Sequence, residues 1–478
     1  MMLESSWALI RRGTGETPRL KYFPTRTSLP GISPKRGVTL SLVAINAALY
    51  LMTSSSNFFL RSADRWVSEL GFVPAELAVQ PSSFLKIFTS MFTHADVFHI
   101  FFNMYFLYFF GKALEGVLGS GRFLTLYMLS GVAAAVAHTA FGFVQGVSSL
   151  IVPAVGASGA ISGVLGAYLL LFPGTHLTAC LWFFVLPLCF TTRASYFLLF
   201  WFATQVIYGY ASRGAAVAFF AHAGGFVAGI ALLPLLLRGE RLASLKYYVA
   251  LREGLFSFIR FFGQARPSGL GRGGRLALAI LVVSMIAGLA YVNIAARPGL
   301  SASLLELNID ETLKSSGRFL VTWVNGSPAI TGSELMPDAA RITLNRLWGS
   351  GLLYNPTMKG GLLEKDSLTT TARVLACPGS PLEVPVQFRG LVAVYDERGL
   401  AKEARGILAS VVVNVTFGTG GACSASPGEP FVSSFEVSSR GSGDLGLLAE
   451  YSSIASLIIV AASLYVAVAR DKHYALVS

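Results

Sequence analysis

The chain has 478 residues, of which 53% are hydrophobic and 13% charged, with a net charge of +12 and a mean hydropathy of +0.61. An ordinary soluble domain carries about 25% charged residues, and a disordered chain is poor in the aromatic residues that make up 12% of this one, so both classes are excluded. What remains is a polytopic membrane protein in the lipid bilayer, where the position of each charge says more than the sum, and the basic excess gives no support to a nucleic-acid partner.

Residues 1–37 hold seven Lys/Arg against two acidic residues, a net +5. They are interrupted by Pro24, Pro30 and Pro34 and lack the continuous apolar run of a signal peptide. A spanning helix needs about 20 apolar residues. Such windows fall at 38–55, 95–113, 122–146, 156–172, 194–211, 215–237, 276–295 and 451–469. Leu177–Phe190 is shorter and broken by Pro187, and reads as an interfacial or re-entrant piece. The segment 238–275 carries eight basic and two acidic residues, a net +6. Six spans separate the two basic segments, so both lie on one side, which the Lys/Arg excess makes cytoplasmic. Arg470 and Lys472 place the C-terminus there too.

Region 296–447 has 13 basic and 14 acidic residues, a net −1, and span counting puts it outside. Its length suits a domain with its own core. The runs Arg318–Val324, Val384–Tyr395, Ile407–Phe417 and Phe431–Val437, separated by clusters such as Gly418–Gly421 and Ser426–Pro430, predict mostly β structure. Asn414-Val415-Thr416 fits a glycosylation acceptor but sits inside a predicted strand, the less favourable setting. Cys180 and Cys189 read as small apolar residues, and pairing of Cys377 with Cys423 stays open, set by the compartment. No C-x-x-C or Cys/His cluster predicts a structural metal. The expected organisation is a basic cytoplasmic tail 1–37, a six-span core 38–237, a basic cytoplasmic linker 238–275, a seventh span 276–295, an extracytoplasmic mostly-β domain 296–447, and an eighth helix with a short cytoplasmic tail 448–478. The fold class is an all-α polytopic membrane helix bundle with that β domain appended.

Polar residues inside spans are costly and mark function. Three groups stand out: His99 and Asn103, four apart on one helix face; Ser158, in Gly156-Ala157-Ser158-Gly159; and His222, in Ala221-His222-Ala223-Gly224-Gly225. The serine span stops at Pro173 and is short of the bilayer, so its first turn lies below the outer surface, at the depth predicted for the other groups. A neutral imidazole takes the proton of a serine hydroxyl and returns it to a leaving amine, which makes Ser158 and His222 a candidate catalytic dyad. His99, Asn103 and the Ser158 backbone N–H are candidate donors to an oxyanion. Gly159-x-x-x-Gly163 and Gly225-x-x-x-Gly229 allow close helix approach. Glu115 reads as a hydrogen-bond anchor, His94 as a residue ordering the outer loop, and His138 as an interhelical contact.

His99-x-x-x-Asn103, Gly156-Ala157-Ser158-Gly159 and Ala221-His222-x-x-Gly225, on separate spans and in that order, resemble the rhomboid intramembrane serine proteases. Phe92-Thr93-His94-Ala95 and Gly111-x-x-x-Glu115-x-x-x-Gly119 add to the resemblance, which covers roughly residues 38–237. It implies a rhomboid-like bundle with Ser158 as nucleophile, His222 as base, and His99 and Asn103 at the oxyanion site. It also implies cleavage of transmembrane protein substrates in or near a spanning segment, without a cofactor. Two departures stand out: Leu85-Lys86 where many members have Trp-Arg, and Ser162 where many place an aromatic that packs on the catalytic histidine. The competing readings are a non-proteolytic rhomboid-like binder of transmembrane helices and a transporter; intact Ser158 and His222 disfavour the first, and the lack of acidic residues deep in the spans disfavours the second. Domain 296–447, on the side of the active site, is expected to dock substrates.

Overall fold

The computed structural model describes residues 37–183, 186–211, 217–257, 269–295, 300–309, 312–324, 326–333, 336–377, 380–417 and 423–476. Of the tail 1–37 only Gly37 falls among them, and Gly418–Gly421 lies outside. The helices, in chain order, are α1 (Gly37–Ser54), α2 (Asp64–Leu70), α3 (Pro74–Val79), α4 (Leu85–Ser90), α5 (Val97–Phe106), α6 (Lys112–Leu118), α7 (Ser120–Gln145), α8 (Ser158–Leu171), α9 (Ala194–Ala211), α10 (Phe219–Leu236), α11 (Gly239–Ser257), α12 (Gly271–Ala295), α13 (Asp338–Gly349), α14 (Leu445–Ala469) and α15 (Asp471–Tyr474). A π turn at Leu107–Gly111 joins α5 to α6.

The eight apolar windows all fold as helices, because a helix satisfies every backbone polar group within its own segment. Among the described residues six are long and apolar enough to cross a membrane: Gly37–Asn57, Val97–Leu118, Ser120–Gln145, Phe219–Leu236, Gly271–Ala295 and Leu445–Ala469. α9 is less apolar because it holds Thr204, Gln205 and three tyrosines. α8 has 14 residues, about 21 Å of helix, and every residue from Ala160 to Leu171 is buried. A helix that is apolar all round sits inside its bundle, and α7, α9 and α10 pack around this one. α14 packs on α7, α10 and α12, so this helix is part of the same core. The Leu476 N–H then donates to the Leu171 carbonyl (2.8 Å), satisfying the C-terminal end of α8.

Leu177–Phe190 forms a hairpin, β1 (His176–Phe183) and β2 (Leu186–Arg193), antiparallel with Cys180 opposite Cys189. Pro187 is tolerated because each strand of a two-stranded sheet has a free edge. The basic linker holds a helix, α11, that apolar periodicity alone does not reveal.

Residues 300–444 form a seven-stranded sheet of β3 (Ser301–Ile309), β4 (Thr312–Val324), β5 (Ser327–Thr331), β6 (Leu362–Cys377), β7 (Ser380–Tyr395), β8 (Ala401–Phe417) and β9 (Cys423–Asp444), in the order β5-β4-β3-β9-β8-β7-β6. All its pairs are antiparallel. α13 covers one face, with Ala340, Leu344 and Leu347 packed among Leu305, Phe319, Val386 and Phe388. Ser426–Pro430 does not separate strands: β9 runs through it, pairing Pro427 with Val413 and Pro430 with Val411, and a register shift between Val411 and Val413 accommodates the missing N–H donors. There β9 has β8 on one side only, since its pairing with β3 begins at Phe435, so the prolines sit at an edge. Cys377 and Cys423 form a disulfide.

The sheet sits on the segment between α1 and α5. Ala302, Leu304, Leu320 and Leu445 share a small core with Ala75 of α3 and with Leu150 and Ile151, which precede α8. A chain of ion pairs runs beside it from Lys86 through Glu76 (2.8 Å) to Arg318 (3.6 Å) and Glu306 (4.0 Å), ending at Arg440.

Candidate active site

Ser158 is the first residue of α8. Gly156, two residues earlier, has φ +117°, a conformation glycine adopts without the Cβ penalty, and this turns the chain into the helix. The preceding strand-like segment is pinned by paired bonds between Phe72 and Ala154 (2.9 and 2.8 Å) and by the Gly156 N–H donating to the Ser90 carbonyl (2.8 Å). Ser158 is thereby held at a helix N-terminus, whose free N–H groups and dipole favour negative charge.

His222 lies in the first turn of α10, and its Nε2 is 2.7 Å from Ser158 Oγ. Two glycines make this separation attainable. A Cβ built on Gly225 would meet the Gly159 carbonyl, and one on Gly229 would meet the Gly163 backbone, so the two helices touch backbone to backbone one turn beyond the dyad. The other imidazole nitrogen, Nδ1, is 2.8 Å from Oε1 of Gln205 on α9. The Trp201 ring, one turn earlier on α9, lies 6.1 Å from the His222 ring.

His99 lies in the first turn of α5, where Asp96 caps its backbone N–H (2.9 Å). Its Nδ1 faces the Ala95 N–H at 3.5 Å, so Nε2 carries the ring proton. The space over the Gly156 Cα is flanked by both groups: a Cβ built there would lie 2.6 Å from His99 Nε2 and 3.6 Å from Ser158 Oγ. A developing oxyanion beside Ser158 Oγ would meet a donor in that space. Asn103, buried one turn below, donates one N–H of its Nδ2 to the His99 carbonyl (2.8 Å), and its amide carries a second N–H. His94 is fully buried between loops: its carbonyl accepts from Ser62 Oγ (2.7 Å), and its Nε2 faces the Ala157 N–H at 3.5 Å. Among the described residues no group of three or more His, Cys, Asp or Glu side chains converges in a way that would hold a metal ion.

Residues 81–239 match the rhomboid domain. The chain carries a rhomboid domain. It is 35% identical over 106 residues to Rhomboid protein 1, mitochondrial, of Saccharomyces cerevisiae, covering 22% of this chain and 30% of the yeast protein. It is 37% identical over 84 residues to Rhomboid protease GluP of Bacillus subtilis, covering 18% and 15% of the two chains. It is also 36% identical over 103 residues to RHOMBOID-like protein 1 of Arabidopsis thaliana, covering 22% and 25%. Each match spans less than a third of the relative's own length. The rhomboid match contains Ser158, His222, His99 and Asn103, and leaves the β sheet and α14 outside.

Gln205 also lies inside the rhomboid match, but no motif marks it. Its sequence signal is an amide in the middle of an apolar helix, the same signal that singles out Asn103. Ser162, at the position where many rhomboids place an aromatic against the histidine, donates its hydroxyl to the Ser158 carbonyl (2.6 Å). The group against the far side of His222 comes from α9 instead.

Proposed function

We propose that this rhomboid-family protein is an intramembrane serine endopeptidase, with Ser158 the nucleophile and His222 the general base. The observation that carries the reading is the 2.7 Å approach of Ser158 Oγ to His222 Nε2 at the start of a short helix buried within the bundle. A substrate helix unwinds near the membrane boundary and presents an extended peptide bond. Ser158 Oγ adds to the carbonyl carbon as His222 takes its proton. The oxyanion is met by the Ser158 backbone N–H, by His99 Nε2 and by the second N–H of the Asn103 amide, whose first is bonded to the His99 carbonyl. Collapse expels the amine, which receives the proton from His222, and a water activated by the same imidazole hydrolyses the acyl-enzyme.

Charge and redox chemistry support one orientation. The basic segments 1–37 and 238–275 and the C-terminal tail belong in the cytoplasm. The β domain, with its Cys377–Cys423 disulfide, belongs on the opposite, oxidising side, the side on which Ser158 opens. The substrates are transmembrane proteins, and the domain spanning 296–447 docks them before cleavage, a reading supported by its seat on the segment that precedes α5.

The test is labelling of the purified protein in detergent with a fluorophosphonate probe. Label is expected on Ser158 and should vanish in Ser158→Ala and in His222→Ala. Undiminished labelling in either variant overturns the dyad. Deleting 300–444 should impair cleavage of transmembrane substrates while Ser158 still labels, and equal cleavage of every substrate removes the docking role.

A further inference from the structure

We infer that Gln205 is a positioning residue that fixes His222 in the tautomer with its proton on Nδ1, leaving the Nε2 lone pair for Ser158. This rests on the protease reading of the dyad and adds a third member to it.

The hydrogen-bond roles around Gln205 decide the tautomer of His222. A glutamine amide has one accepting and one donating end, so the direction in which Gln205 points decides what His222 must do. Thr204 Oγ1 gives its proton to the Trp201 carbonyl at 2.6 Å, which leaves the Thr204 oxygen able only to accept from Gln205. The amide nitrogen of Gln205 faces that oxygen at 3.1 Å and the same Trp201 carbonyl at 3.4 Å. A flipped amide would set its carbonyl oxygen against two acceptors, and at 7% exposure there is little water to relieve the conflict. The nitrogen therefore belongs on the Trp201 side and Oε1 toward His222 Nδ1, 2.8 Å away. An acceptor at that distance requires Nδ1 to be the donor. A neutral imidazole carries a single N–H, so Nε2 is unprotonated and the Ser158 hydroxyl donates to it.

The alternative tautomer would place an N–H on Nε2, which could only donate to Ser158 Oγ and could not take its proton. Local chemistry on α9 thus selects the competent form before any substrate arrives. A neutral amide does this without placing a carboxylate in the bundle, where an uncompensated charge is costly. Ser162 does not reach across to His222, its hydroxyl being bonded to the Ser158 carbonyl, so this orienting contact comes from Gln205.

The experiment measures the rate and concentration dependence of fluorophosphonate inactivation separately. Gln205→Met keeps the length of the side chain and removes the acceptor. It should lower the maximal inactivation rate by about 10- to 100-fold, a part of the total that general-base catalysis supplies, with half-saturation unchanged within about twofold. Gln205→Glu in its neutral, protonated form keeps an acceptor toward Nδ1 and a donor toward the Trp201 carbonyl, and should recover most of the rate. In wild-type protein with 15N-labelled histidine, the His222 signal, assigned by its loss in His222→Ala, should show the proton on Nδ1. Wild-type rates in Gln205→Met while Ser158→Ala is dead overturn the role of Gln205 and leave the protease reading intact. Label away from Ser158 in the wild type overturns the protease reading itself. Should Gln205→Met fail to fold, the nitrogen signal still decides, and a proton on Nε2 overturns the inference.

Discussion

Arg318, on strand β4, donates to both the carbonyl (3.1 Å) and the hydroxyl (2.6 Å) of Ser68 in α2. It also pairs with Glu76 and Glu306, whose side chains are 8% and 7% exposed. The sheet is thus fastened to the rhomboid domain's neighbouring segment by a buried cation shared between two acids. Arg318→Ala leaves both carboxylates with one positive partner fewer, and removing one side of a buried pair costs about 3–5 kcal/mol. Because Lys86 and Arg440 remain, the lower end applies, about 3 kcal/mol. The expected outcome is a lower unfolding midpoint in detergent and faster proteolysis within 58–94. An unchanged midpoint would show that the apolar contacts around Ala75 and Leu304 carry the interface alone.

Glu115 accepts four hydrogen bonds, from the Val38 N–H (3.0 Å), the Thr39 N–H (2.9 Å), Thr39 Oγ1 (2.6 Å) and Ser120 Oγ (2.6 Å). Its negative charge therefore caps the N-terminus of α1, where the helix dipole favours it. Glu115→Ala should destabilise the fold by about 3 kcal/mol, since bonds to a charged acceptor contribute about 1.5–3 kcal/mol each and water replaces part of the loss. Twelve residues of helix, about 18 Å, separate it from Asn103. Fluorophosphonate labelling per folded molecule should therefore stay within about twofold, and a larger fall would tie Glu115 to the chemistry.

The helices and the candidate pair Ser158 and His222 are legible in the sequence because both write themselves locally. An apolar window demands a helix in lipid, and Ser158 and His222 are polar exceptions inside such windows. Strand content in 300–444 is legible for the same reason, but strand order is not, since β3 pairs with β9 across most of the domain. Arg318 and Ser68, 250 residues apart, carry no signal of each other. Gln205 is an intermediate case, visible as an amide in a span but unassignable until α9 is placed beside α10. Leu177–Phe190 shows the limit of length arguments: its shortness excludes a span, while Thr178 and its aromatics suit the hairpin that forms.

The disulfide between Cys377 and Cys423 closes a loop with a sequence separation of 46. It ties the end of β6 to the start of β9, at the far end of the long strands from the rhomboid domain. Chain-entropy reasoning gives a loop of that length about 4 kcal/mol of stabilisation. The double variant Cys377→Ser, Cys423→Ser should lower the midpoint of the β domain, and adding reductant to it should have no further effect. If reductant lowers the midpoint of the variant as far as that of the wild type, the stabilisation comes from elsewhere.

Gly225 is where packing and chemistry meet. A Cβ there would meet the Gly159 carbonyl and lie 3.3 Å from Ser162 Cβ, and a backbone atom cannot rotate away as a side chain does. Gly225→Ala must therefore push α10 from α8, at an overpacking cost of about 1–3 kcal/mol. Gly159 follows Ser158 directly and Gly225 lies one turn beyond His222, so the displacement falls on the 2.7 Å contact between them. A misplacement of about 1 Å between reacting groups costs about 100-fold in rate, and the same loss is expected in the labelling of Ser158, with a folded, monodisperse protein. Gly116→Ala supplies the control, since nothing lies within 4 Å of a Cβ at that position, and its labelling should match the wild type. Wild-type labelling in Gly225→Ala would mean that the two helices separate without disturbing the dyad.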